Sequence, residues 1–491
     1  MIKKLKDKIS IFDFFKQETK MKVLVSWIII NILYIFIGSF LVTNQIIIQR
    51  HFSYGYIPLG IINYLIGIYV LIKKKSKYNI THKTILFIIA FGIIATIFAV
   101  KPKVSLFGIG GRYEGLFSIL YYFSLFILSG FVKNSDKGIN YKKIIINTII
   151  ITGVIQVLYA ICQIYEVPGV YRMYNKSNSF EFKPEGIFRK VELWATGFTT
   201  NPNFFGSYIV ICLLYAMGIF ISDKKLNEKV EIKNNTKEKK KDNSKENKEQ
   251  KKRVILNVLY GIAIVILFIG LLICNTMSCA LAVLLVLGYV FIYSIRNKRI
   301  KKFILICIML LITTFTVYKL GKTKLIKDIK QTGEETTQVA QGKSDTTFGT
   351  NRFYIWKNTL NIVPENLLNG CGIDNFNYAF DGHALVVNHK TVFYDKVHNE
   401  YLQILVTEGV FCLLAYLVLY GVVTLKGFKE SLKSKEIYLL IPVLGYLIQA
   451  FFNISVIEVA PIFFISLGLL WPYNEKEEVI KSKKICKKKS S

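Results

Sequence analysis

No two of the eight cysteines are spaced as C-x-x-C, which excludes zinc ribbons and dithiol redox motifs. Cys162, Cys212, Cys307 and Cys412 lie in apolar runs and read as small apolar fillers. Cys274 and Cys279 are close in sequence, which is only a weak disulfide signal. Acidic residues are scarce, 32 against 64 lysines and arginines, for a formal net charge of +32. No basic stretch is interleaved with stacking aromatics, so this charge does not read as nucleic-acid binding. There is no clear repeat between the two halves. No cleavable signal peptide is expected, because Lys3 to Lys22 is basic and mixed and the apolar run after it is too long for one. Ile9, Ile11, Phe12, Phe14 and Phe15 suit a segment resting on the inner membrane surface.

What the chain has instead is apolar residue in long blocks. Its 491 residues are 52% hydrophobic, with mean hydropathy +0.40. A bilayer core of about 30 Å needs roughly 20 apolar residues per helix. Backbone groups in lipid must be satisfied internally, and the blocks are too continuous for a barrel. The expected fold is all-α: a polytopic membrane protein of about 12 transmembrane helices and one large extracytoplasmic loop. The spans fall near 23–48, 57–73, 84–100, 116–132, 144–166, 204–222, 254–274, 277–294, 303–318, 399–425, 437–453 and 456–473. The connections 73–83 and 296–302 carry five basic residues each and no acid, which places them, and both termini, in the cytoplasm.

This orientation divides the chain. Residues 1–22 form a basic cytoplasmic segment, and 23–222 hold helices one to six. A charged linker, 223–253, is low-complexity and expected to be disordered. Residues 254–318 hold helices seven to nine, and 319–397 form the extracytoplasmic loop, with helical runs expected near 322–331 and 350–362. Residues 398–473 hold the last three helices, and 474–491 are a basic tail.

The outer connections collect the unusual residues. They are Arg112 and Glu114, then Arg172, Lys183, Glu185, Arg189 and Lys190. The long loop adds Arg352, Trp356 and Asn369-Gly-Cys-Gly-Ile-Asp-Asn-Phe376, and span ten opens with His398-Asn399-Glu400-Tyr401. Guanidinium groups beside apolar helices suit a lipid-linked phosphate or diphosphate, since they fork onto phosphate oxygens and stay charged. A helix N-terminus and nearby arginines both disfavour imidazolium, so His398 should be neutral and able to take a proton. A base that activates a hydroxyl and cations that hold a departing diphosphate are what glycosyl or acyl transfer needs. Other roles stay open. Arg112 and Arg189 also suit interfacial snorkelling, Trp356 and Tyr401 suit an aromatic belt, and Arg352 has Glu365 and Asp374 as possible ion-pair partners. Glu408, about 15 Å along the helix from His398, is an intramembrane carboxyl and so a functional candidate.

The run Arg352…Trp356…Asn369-Gly-Cys-Gly-Ile-Asp-Asn-Phe376…His398-Asn-Glu-Tyr-Leu-Gln…Glu408-Gly409 resembles the C-terminal signature of the O-antigen ligase and polymerase (Wzy-like) family. Arg112-Tyr-Glu-Gly-Leu116 and Thr196-Gly-Phe…Asn201-Pro-Asn-Phe204 also resemble family segments. The resemblance covers roughly 105 to 425 and implies an inverting, metal-independent glycosyltransferase of the GT-C type, without a cofactor. Its donor would be a glycan on undecaprenyl pyrophosphate and its acceptor a glycan, lipid or protein. It implies His398 as base and Arg352 as a diphosphate contact, with Arg112 and Arg189 as further cations. Glu114, Glu185, Asn399, Tyr401 and Glu408 would support them. One departure stands out: where the family often has a second arginine after a short outer turn, this chain has Cys279.

Two other classes fit parts of the pattern. A transporter or lipid flippase fits twelve spans and Glu408, although charges at one surface favour surface chemistry over passage. A non-catalytic envelope-assembly scaffold fits the missing arginine.

Overall fold

The computed structural model describes residues 17–74, 80–134, 139–168, 170, 195–222, 239–341, 352–379, 385–387, 390–392 and 394–471. Its helices, in chain order, are α1 (Gln17–Thr43), α2 (Gln49–Lys74), α3 (Ile80–Ile97), α4 (Pro102–Phe107), α5 (Leu116–Gly130), α6 (Tyr141–Ile164), α7 (Pro202–Ser222), α8 (Lys239–Ile273), α9 (Met277–Arg296) and α10 (Ile300–Lys319). There follow α11 (Leu325–Ala340), α12 (Arg352–Asn366), α13 (Phe376–Ala379), α14 (Glu400–Glu408), α15 (Val410–Ser434), α16 (Ile441–Ala450) and α17 (Ala460–Leu470). Among the described residues, one antiparallel hairpin, β1 (Leu385–Val387) with β2 (Lys390–Val392), accompanies the helices.

Among the described residues, nine helices are long and apolar enough to cross a membrane, and α5, the segment ending in α16, and α17 are shorter apolar helices. Every expected span coincides with one of these twelve. The protein is therefore a polytopic helical membrane protein. α7 is buried throughout and forms the centre of the bundle, whereas α10 shows most of its surface outward. Polar side chains join helices where apolar packing alone gives little direction. Trp27 donates to Asn63 at 2.6 Å, and Asn63 donates to Ser124 at 3.0 Å, linking α1, α2 and α5.

Three departures from expectation have physical causes. The charged segment is helical from Lys239 and continuous with the span of α8, because lysine, glutamate and glutamine favour helix; residues 223–238 lie outside the described residues. In the loop, the expected helical runs are α11 and α12, both displaced toward later residues. The tenth span is not one helix but two. Gly409, at φ 86°, separates α14 from α15. Two carbonyls freed by the break find partners in the glycine-rich turn: Cys371 N–H donates to Val406 O at 2.9 Å, and Gly372 N–H to Thr407 O at 3.0 Å. In return, Val410 N–H donates to Leu367 O at 2.8 Å. The backbones approach so closely that a side chain on Gly409 would begin 2.2 Å from Leu368 O, and one on Gly370, at φ 69°, would begin 2.2 Å from Thr407 O.

This clamp fixes where α14 starts, and with it the segment before α14. Gly370→Ala or Gly409→Ala meets both a left-handed backbone and a backbone clash. Each should cost about 3 kcal/mol, read as a large drop in the thermal unfolding midpoint of the purified protein in detergent. An unchanged midpoint would show that the clamp does not carry this stability.

Candidate active site

Five connections meet at one end of the bundle, those after α3, α6, α8, α10 and α16. Hydrogen bonds join them. Thr200 donates to Glu458 from N–H and hydroxyl, both at 3.2 Å. Ser455 N–H donates to Glu400 at 2.6 Å. Thr276 donates to Asn203 at 3.2 Å. Lys324 N–H donates to Asn275 at 2.7 Å.

At the middle of this end sits Asp374, fully buried and itself at φ 59°. One carboxylate oxygen pairs with Lys396 Nζ at 2.5 Å. The other accepts from the backbone N–H of Ile109 at 2.6 Å and of Glu114 at 3.3 Å. Asp374 therefore holds the loop carrying Arg112 against the segment carrying His398. Arg112 completes the contact: its guanidinium Nε donates to Asp395 at 2.6 Å and lies over the Phe204 ring, 5.2 Å from the centroid.

Asp395, Lys396 and His398 occupy one short stretch, fixed at both ends. Trp356 Nε1 donates to Val397 O at 3.1 Å, and Val397 N–H donates to Gln403 at 2.9 Å. Asn399 caps α14, accepting from Leu402 N–H at 3.0 Å, and Tyr401 donates to Leu447 O at 2.8 Å. Between these anchors His398 is held at φ 57°. A left-handed histidine is uncommon and costs about 1–3 kcal/mol, a kind of strain that clusters at functional sites.

The electrostatics are consistent with one shared site. Burial, then the charges of Arg352 and Arg112, push His398 down to about 4 from the ordinary 6.5, against the opposing pull of Asp395. Burial lowers Arg352, and its charge also acts on Cys279. For Arg112 burial acts downward, but the Asp395 pair outweighs it and the net shift is upward. Asp395 shifts the other way for the same reason: burial raises it, and Arg112 brings it below its ordinary value. Lys396 is raised overall, since Asp374 and Glu114 outweigh burial. Burial lifts Glu114 to about 8, against Lys396 and against the Tyr122 hydroxyl, which lies 2.8 Å from both of its carboxyl oxygens.

The structure brings together His398, Arg352, Arg112, Glu114, Asn399 and Tyr401. Arg189 and Glu185 lie outside the described residues. Asp374 pairs with Lys396 and not with Arg352, so one of the two ion-pair partners considered for Arg352 is taken. Glu408 does not continue a long helix below His398; it ends α14 and accepts a weak S–H bond from Cys412 at 3.1 Å. With Glu114, Asp374, Lys396, Glu400 and Gln403 it lines a polar cavity of about 50 Å³, room for a few waters. Cys274 and Cys279 are free thiols. The sequence reading missed Asp395 and Lys396. The signal was there: two charges placed immediately before the histidine of a membrane helix.

A helical membrane protein with a histidine held at positive φ, half-buried arginines and a buried ion-pair network at one end is suited to chemistry on an anionic substrate at a membrane surface. Residues 262–417 match the family model of O-antigen ligase. No curated protein matches it. The match supports an O-antigen ligase- or polymerase-like function, a glycosyltransferase-like enzyme and a lipid-linked glycan substrate in a membrane. The matched residues include Arg352, Asp374, Asp395, Lys396, His398 and Glu408, whereas Arg112 and Glu114 come from outside them.

Asp374→Asn leaves the Lys396 ammonium buried beside a neutral amide. It should cost about 3 kcal/mol, seen as a lowered thermal midpoint. Asp374→Asn combined with Lys396→Met removes both charges and should recover much of that loss. Failure of the double variant to recover would show that the pair is not what stabilises this end.

Proposed function

We propose that this protein transfers a glycan from undecaprenyl pyrophosphate to an acceptor hydroxyl on the outer face of the cytoplasmic membrane, in surface polysaccharide assembly. The observation that carries the reading is that burial, helped by the charges of Arg352 and Arg112, lowers the imidazole of His398. A neutral imidazole among fixed cations is a base next to an anion site.

In this mechanism His398 takes the proton of the acceptor hydroxyl as its oxygen attacks the anomeric carbon. The bond from that carbon to the diphosphate oxygen breaks, and its electron pair leaves with the diphosphate. A single displacement of this kind inverts the anomeric centre. Arg352 and Arg112 neutralise the charge that develops on the leaving group, the largest catalytic term in most enzymes, and the step calls on no metal ion. Negative charge arriving on the diphosphate also favours the imidazolium that forms. Arg112 stands in for the arginine replaced by Cys279, and Arg189, with Glu185 beside it in sequence, is a candidate third contact. Asn399 and Tyr401 orient the start of α14, and Glu114 and Glu408 support it from below. Both termini lie in the cytoplasm in this orientation.

The test compares cells carrying the wild type or His398→Ala at equal protein levels, analysing the lipid-linked glycan pool with the surface glycan. Transfer should fall by about 100-fold or more. Accumulated single repeat units would identify a polymerase, and long chains stranded on lipid a ligase. Unchanged profiles would remove His398 as base. The pH profile gives a second test. Because the folded-state value lies near 4 and not 6.5, the base form persists through mildly acidic pH. The acid limb of kcat/KM should therefore fall well below pH 6.5. A limb at the ordinary histidine value would contradict the buried, cation-flanked site.

A further inference from the structure

The helix α11 is amphipathic and lies beside the site without belonging to it. Its start is tied to the top of α8, where Thr323 and Lys324 both bond Asn275, at 3.1 Å and 2.7 Å. Just before it, Lys322 Nζ lies 4.5 Å from the centroid of the Tyr165 ring, at the end of α6. Its middle is tied to the first residue of α9, where Thr332 donates to Met277 Sδ at 3.4 Å. Asn275 and Met277 mark one level, where α8 ends and α9 begins. Eight residues of α11 separate the two anchors, about 12 Å of helix. A helix pinned twice at the level where spans emerge runs along the membrane surface and not away from it.

Its outward residues match that position. Leu325 is buried against the bundle, but Ile326 and Ile329 are 44% and 52% exposed. They continue the exposed apolar face of α10, which runs through Leu311 and Phe315 to Leu320. Exposed Lys327 and Lys330 lie along one margin of this face with exposed Glu334 between them, and exposed Gln331 lies on the opposite side from Ile329. Apolar residues on one side with lysines at the margin are the pattern of a helix lying in a headgroup layer.

We propose that α11 is an interfacial helix whose partner is the bilayer itself: Ile326 and Ile329 enter the lipid, and Lys327 and Lys330 bind anionic phospholipid headgroups. This holds whether or not the chain transfers glycans.

The test uses the full-length protein in nanodiscs, with photoreactive benzoylphenylalanine at Ile329 or, as a control, at Gln331. Irradiation should crosslink phospholipid at Ile329 and not at Gln331. With phosphatidylcholine and phosphatidylglycerol in equal amounts, the crosslinked lipid should be roughly tenfold enriched in phosphatidylglycerol. Lys327→Glu with Lys330→Glu should abolish the enrichment while the crosslink to lipid persists. No lipid crosslink at Ile329, a crosslink to protein in its place, or an enrichment that survives the double substitution would each overturn the proposal.

Discussion

A lysine ammonium and an aspartate carboxylate, 2.5 Å apart and shut away from solvent, set the geometry of this end of the molecule. Each charge alone would be costly there, and together they are tolerable only because Asp374 also accepts two backbone N–H groups. The three contacts fix three segments that are distant in the chain: the loop around Ile109 and Glu114, the glycine-rich turn, and the stretch from Asp395 to His398. Lys101 N–H adds a further tie, donating to Asn375 at 2.8 Å. This pair and the Arg112–Asp395 bond together give Arg112 and His398 a common frame.

The break at Gly409 supplies the other half of that frame. A continuous helix would use its own carbonyls and leave the glycine-rich turn with nothing to bind. Breaking it hands Val406 O and Thr407 O to the turn, and so locks Asp374 at a fixed height beside α14. The short, strained approach to α14 then presents His398 toward two arginines. Preorganisation of this sort is what electrostatic catalysis requires, because donors already aimed at the developing charge need no rearrangement.

Much of this was legible in the sequence, for physical reasons. Lipid demands long apolar blocks, so the polytopic helical fold and the places of its apolar helices could be read. His398, Arg352 and Arg112 stood out because charge and imidazole are rare beside such blocks. The helix break was hidden, since Glu408 and Gly409 interrupt the apolar pattern of 399–425 for only two residues and a lone glycine is tolerated within a helix. The pairings were hidden too. Arg112 and Asp395 are 283 positions apart, and nothing local in either segment names the other. Asp374 was seen as part of a turn, while its role depends on Lys396, which attracts no notice in a lysine-rich chain. The helix from Lys239 was missed because charged low-complexity sequence gives no packing signal, although its residues favour helix.

The central claim is that one anion site lies between Arg352, Arg112 and His398. The most direct measurement is the protonation of His398, followed by NMR of nitrogen-labelled imidazole in the purified protein, with and without inorganic diphosphate. The account predicts a value near 4 in the free protein, rising when diphosphate binds, since the anion offsets the two guanidinium charges. A histidine that titrates at its ordinary value and ignores diphosphate would contradict it.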